Sequence, residues 1–270
     1  MLEAIMEYQF IQYAMLASVF ASIVCGIVGV IIVEKRLVMM GGGIAHASYG
    51  GVGAGYLLGI NPIIGAFFIS ICAALGIGYL KRHGNTRSDV VLGLFWSLGM
   101  AIGVVCISLM PGYPPDLSSY LFGNILTVST LDLYLIASLS VCVLLVVCAL
   151  FNYWKAYLFD DEFAVIVGLP VAFFEYLLLI VIAMSIVVLI RVVGIVLVLA
   201  LFTAPPAIAA LFLRRLESRM ALAVVLGGLL CVSGLLLSYE MDIPSGALIV
   251  IISAVSYFLA RKVSLRIRGR

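Results

Sequence analysis

Residues 171–213 read VAFFEYLLLIVIAMSIVVLIRVVGIVLVLALFTAPPAIAALFL, and Glu175 and Arg191 are the only charged side chains among them. Apolar and polar positions do not alternate along this stretch. A transmembrane barrel strand would alternate over about ten residues, whereas a solid apolar run of about 20 residues crosses a hydrocarbon core as a helix. Lipid offers no partner to an open backbone amide, so helices and closed barrels are the only spanning structures. The stretch holds about two such runs, and Arg191 marks the seam between them. It predicts membrane helices.

Working outward, the rest of the chain has the same texture. Of its 270 residues 65% are apolar and 10% charged, too few charges to wet a soluble domain of this length. The expected fold is all-α and polytopic, a single transmembrane domain over 1–270 with about nine spans near 11–33, 43–60, 63–80, 90–110, 132–151, 173–190, 192–211, 220–238 and 246–260. Breaks fall at Glu34-Lys35-Arg36, at Asn61-Pro62, from Lys81 to Asp89, from Pro111 to Thr130, from Asn152 to Pro170, from Arg214 to Arg219, and from Tyr239 to Ser245. Met1 to Tyr8 carries Glu3 and Glu7 and no basic residue. That is the reverse of a signal peptide's opening, so the first span is expected to be retained. All 6 cysteines lie inside apolar segments without a CxxC pair and read as small apolar residues.

Charge fixes the expected orientation. With the N-terminus outside, every one of the 15 Lys and Arg residues except Arg191 falls on the inner side, as the positive-inside bias requires. Adding or removing one span scatters that set. The outward segments hold Glu3, Glu7, Asp116, Asp132, Glu240 and Asp242. No nucleic-acid partner is expected; the partner surface is a lipid bilayer.

Small residues recur at helical spacing, at Gly51, Gly55 and Gly59 and at Gly99 and Gly103. They read as close helix packing, with a smooth glycine-lined path as the alternative. The cluster Gly50, Gly51, Gly53 and Gly55 has neither the spacing nor the preceding strand of a dinucleotide site. Pro205 and Pro206 are expected to break or kink their span. No phosphate loop, HExxH or GxSxG is present, so no enzymatic activity is expected of this chain. An ATP-driven process would need its nucleotide on another subunit.

Three places are candidates for function. His46, in GGGIAHASY (41–49), sits near the cytoplasmic entry of the second span. An ionisable group at that depth is costly and marks a pathway, and imidazole is a common metal ligand; a hydrogen bond to a neighbouring helix is the equal alternative. The outward loop at about 111–131, with Asp116, and the turn carrying Glu240 and Asp242 offer an acidic mouth or a docking face for a partner, or are simply solvated connectors. The inward segment at about 155–172 contains FDDEFAVIVGLP (159–170). Asp160, Asp161 and Glu162 match a helix N-terminus, and Phe163 follows them within an apolar run. Gly168 and Pro170 form a stop signal. Its acids disfavour an anionic membrane surface, which favours a groove on a protein partner.

Taken in order, six stretches carry a family resemblance. They are GIAHA (43–47), DVVLGLFWSLGM (89–100), DLSSYLFGNILTVS (116–129), FDDEFAVIVGLP (159–170), RVVGIVLV (191–198) and LSYEMDIPSG (237–246). In this order they resemble the permease subunits of ABC importers for zinc, manganese and related divalent metals, nearly end to end. The resemblance implies a homodimer around a central pathway. A cytoplasmic ATP-binding subunit would dock on the 159–170 segment, and an extracytoplasmic metal-binding protein would dock outside. It also implies that His46 belongs to the metal route or its gate. Many members carry an aspartate four residues before that histidine, where this chain has Gly42.

The leading expectation is therefore an ATP-driven importer of a divalent metal (zinc or manganese, with iron as a further candidate) that holds no permanent cofactor. The alternatives are a secondary metal carrier driven by an ion gradient, or an ABC permease for a metal chelate such as a siderophore. A gradient-driven carrier needs coupling carboxylates at mid-membrane, and the spans are nearly free of acids.

Overall fold

The computed structural model describes residues 8–83, 88–111, 120, 121, 123, 125–159, 161–166, 168–241 and 243–268. Eleven α-helices hold most of these residues, with a further helical pair at Tyr120 and Leu121, one short 3-10 turn at Ile125–Thr127 and no strand among them. In chain order they are α1 Gln9–Glu34, α2 Val38–Leu57, α3 Pro62–His83, α4 Ser88–Ser108, α5 Thr130–Ala149, α6 Phe151–Phe159, α7 Asp161–Ile166, α8 Val171–Val193, α9 Ile195–Phe212, α10 Leu216–Met241 and α11 Ser245–Arg268. The polytopic all-α fold expected from the apolar runs is the fold observed.

A long helix occupies each of the nine expected spans, and eight of these are long and apolar enough to cross a membrane. The ninth, α2, has the length at 20 residues. Its apolarity is diluted by Gly41, Gly42, Gly43, Gly50, Gly51, Gly53 and Gly55. Of these, Gly50, Gly51, Gly53 and Gly55 serve packing, as shown below.

The helix ends follow local chemistry. Asn61 Oδ1 accepts the Ile63 N–H at 3.0 Å, and Pro62 opens α3 where its missing N–H costs nothing. Ser129 caps α5: its N–H and hydroxyl donate to Asp132 Oδ2 at 3.1 and 2.6 Å, and the Asp132 N–H returns to Ser129 Oγ at 3.3 Å. This is the reciprocal capping box of a helix start. The α8–α9 seam falls at Gly194, whose φ of 81° separates two helices that apolar sequence alone runs together.

The helices fall into two compact units. The first comprises Met1–Lys35, Leu121–Ala149 and Val188–Arg270; within it α1 packs on α5, α9 and α10, and α11 on α9 and α10. Here α9 runs through Pro205 and Pro206 without a break. Proline at 206 deprives the Phe202 carbonyl of its helical donor. That carbonyl lies against Gly29 of α1, where a Cβ would come within 2.8 Å of it. The second unit comprises Arg36–Tyr120 and Leu150–Val187; α2 packs along both α3 and α4, and α6 against α7.

Candidate functional site

His46 lies in the first half of α2, and its imidazole stacks on the indole of Trp96 from α4. The ring centroids are 4.1 Å apart and the planes 15° from parallel. Gly42, one turn earlier, makes room for the indole: a Cβ there would lie 3.2 Å from Trp96 Cζ3. His46 Nδ1 is buried without a hydrogen-bond partner among the described residues. The imidazole is thus oriented by an aromatic face, and one ring nitrogen is left with free donor or acceptor capacity. Among the described residues no three His, Cys, Asp or Glu come together as a metal cage.

Glycine sets how closely α2 is held. Gly50 faces the Gly99 carbonyl, at 2.8 Å from where a Cβ would stand, and Gly53 faces Gly103. On the other side Gly51 meets the backbone of Gly65, and Gly55 lies 2.7 Å, by the same measure, from Pro62 Cα. Helix backbones fill these positions, so Gly51, Gly55, Gly99 and Gly103 are packing residues in the small-xxx-small sense. Gly59 belongs to the turn after α2, with a φ of 67°.

Of the acids read as an outer mouth, Glu240 is exposed in the last turn of α10. Asp116 and Asp242 lie outside the described residues. Sequence reasoning missed the role of Asp132, which is buried and ion-paired to Arg191.

The segment read as inward is more structured than its sequence suggested. It begins with a helix of its own, α6, whose Trp154 and Tyr157 are buried. The Phe174 ring of α8 packs against both, at centroid distances of 5.3 and 6.2 Å. The aromatic density of FNYWKAYLF (151–159) was the available signal. The expected short helix is α7, and its end is a Schellman closure. Gly168, at φ 82°, donates its N–H to the Val165 carbonyl at 3.0 Å, and Leu169 donates to Ala164 at 2.9 Å. Asp160 lies outside the described residues, as do the side chains of Asp161 and Glu162. Phe159, Phe163, Val165 and Ile166 are exposed, Ile166 at 82%. Gly168 and Pro170 are exposed as well.

The ABC 3 transport family matches the chain over residues 7–264. The chain belongs to the ABC 3 transport family. It is therefore a multi-pass transport subunit of the cell membrane, and the family resemblance read from the six stretches is borne out. Relatives of this ABC 3 chain cover it almost end to end. An uncharacterized membrane protein of Synechocystis, slr2045, is 40% identical over 94% of this chain and 91% of its own length. The manganese transport system membrane protein MntC of Halalkalibacterium halodurans is 33% identical over 96% and 88%. Among solved structures, PsaBC from Streptococcus pneumoniae in complex with Fab matches with a TM-score of 0.87 at 30% identity. It covers 96% of this chain and 93% of that one.

Proposed function

We infer that the chain is the permease subunit of an ATP-driven importer for a divalent transition metal, with manganese first, then zinc and iron. The observation that carries the reading is the end-to-end likeness to manganese transport system membrane proteins. Two copies form the pathway, N-termini outside and C-termini cytoplasmic. A separate cytoplasmic subunit hydrolyses ATP, and an extracytoplasmic protein delivers the metal. The exposed apolar face of α6–α7, at Phe159, Phe163 and Ile166, docks the ATP-binding subunit and passes its closure to the membrane helices. His46 is the one imidazole of the α2 helix and contacts the passing ion as a single, weak ligand. Affinity and selectivity then rest with the delivery protein.

The test is uptake of manganese and zinc into liposomes containing the chain with its ATP-binding subunit and loaded delivery protein. Uptake that requires all three components and ATP supports the importer, and its fall in His46→Ala places the imidazole on the route. Assembly and ATP hydrolysis without metal uptake would overturn the cargo, and uptake driven by an ion gradient without the ATP-binding subunit would overturn the mechanism.

A further inference from the structure

Glu175 is an acid in the second turn of a strongly apolar helix, and its side chain is only 11% exposed. Such a group is expensive among apolar neighbours unless its charge is met. Here it is met from α3. Lys81 Nζ donates to Glu175 Oε1 at 2.8 Å, and Arg82 Nη1 reaches Oε2 at 3.5 Å. One turn back on α3 the same two helices are in close steric contact. A Cβ at Gly78 would stand 2.7 Å from Leu179 Cδ1 and 3.0 Å from Tyr176 Cε1.

The neighbours on either side of this junction matter. Before Glu175 in the chain, Phe174 is packed on Trp154 and Tyr157 of α6, which ties the start of α8 to that helix. Beyond the junction, α3 meets α2 backbone to backbone at Gly65–Gly51 and Pro62–Gly55. α2 carries His46. The whole series lies within one compact unit. A buried ion pair between packed helices adds little stability over an apolar contact of the same shape. This pair adds to the Gly78 contact a directional hydrogen bond of 2.8 Å from α3 to α8.

We propose that Glu175 and Lys81 are the joint through which movement of the α6–α7 segment reaches α3 and then the His46 helix. Glu175 is a positioning residue for transport, acting through Lys81 and touching neither ion nor nucleotide. This rests on the importer reading above. When the ATP-binding subunit closes, α6–α7 and the first turns of α8 shift together. The Glu175–Lys81 pair and the Gly78 contact make α3 follow.

The experiment measures metal transported per ATP hydrolysed, in liposomes containing the full complex, for Glu175→Gln, Lys81→Met and the exchange Lys81→Glu/Glu175→Lys. The expected result is a fall of about tenfold or more in that ratio for each single variant, with complex assembly and ATP hydrolysis retained and part of the ratio recovered in the exchange. If uptake and hydrolysis fall in parallel with the ratio unchanged, the pair is structural and the proposal is overturned. Ratios equal to wild type overturn it as well. Failure of the importer reading shows separately, as absence of ATP-dependent uptake in the wild-type complex.

Discussion

Arg191, near the end of α8, forms an ion pair with the buried Asp132 in the first turn of α5. Arg191 is the one basic residue that the expected orientation sets apart from all the others. The pair gives its charge a partner. Asp132 already accepts two hydrogen bonds from Ser129 at its other oxygen, so its carboxylate is held in place and the guanidinium is met without rearrangement. Removing either partner leaves the other charge unmet; with Arg191 itself 39% exposed, the expected cost is about 2 kcal/mol. Thermal unfolding of the purified chain should show Asp132→Asn and Arg191→Met each destabilising, and the double variant costing less than the sum of the two. Strict additivity would mean that the two side chains do not interact.

Glycines on the same helix should divide by what faces them. In α4, a Cβ at Gly99 would collide with the backbone of Ala47, whereas one at Gly93 meets nothing within 4 Å. Gly99→Ala therefore forces α2 and α4 apart and should cost about 1–3 kcal/mol. Gly93→Ala should be neutral or stabilising by up to about 1 kcal/mol, through the lower backbone entropy of the unfolded chain. Equal effects at the two positions in a thermal unfolding series would remove close packing as the reason for the glycines.

Much of this was legible in the sequence because membrane helices announce themselves by length and apolarity, and because charges gather at their ends. The caps were legible as well: Asn61-Pro62 and Gly168-x-Pro170 mark helix ends by local chemistry alone. What could not be read were relationships between distant residues. Asp132 looks like a solvated loop acid until Arg191 is placed beside it. Glu175 looks like a stray charge near a helix end until Lys81 reaches it across 94 positions. The stacking of His46 on Trp96 depends on α2 and α4 lying face to face, and only the glycines between them hinted at that. α6 escaped because nine residues with a Lys and an Asn carry too weak an apolar signal to stand apart from a loop.

In the α6–α7 segment, buried and exposed apolar residues should have opposite effects. Trp154 is 1% exposed, so Trp154→Ala should cost about 3–5 kcal/mol. Trp154→Phe should be mild, since the indole N–H has no acceptor among the described residues and its loss breaks no hydrogen bond. Ile166→Ser touches no core and should leave thermal stability within about 0.5 kcal/mol of wild type. Its effect should appear in co-purification, as weaker retention of the ATP-binding subunit. Full retention with Phe159→Ser, Phe163→Ser and Ile166→Ser combined would mean that the partner docks elsewhere.

Trp96 lies against the space that a side chain at position 42 would enter, and this bears on the aspartate that the family resemblance leads one to expect there. A Cβ at Gly42 would lie 3.2 Å from the indole, tight enough that the ring must shift. Gly42→Asp alone should then push the half-exposed indole aside, disturb the stack on His46 and cost about 1 kcal/mol. Combined with Trp96→Ala, the same substitution has room, and the carboxylate stands one helical turn from the imidazole. The double variant should recover stability relative to Gly42→Asp, and it should bind manganese more tightly than wild type, because a carboxylate oxygen suits that ion. Two readings follow the outcome: thermal unfolding for the fit, and equilibrium binding of manganese to the detergent-solubilised chain for the ligand. Recovery of stability without tighter binding would confirm the steric pairing of Gly42 with Trp96 and argue against a metal contact at His46. Gly42→Asp as stable as wild type with Trp96 intact would show that the indole does not hold that space.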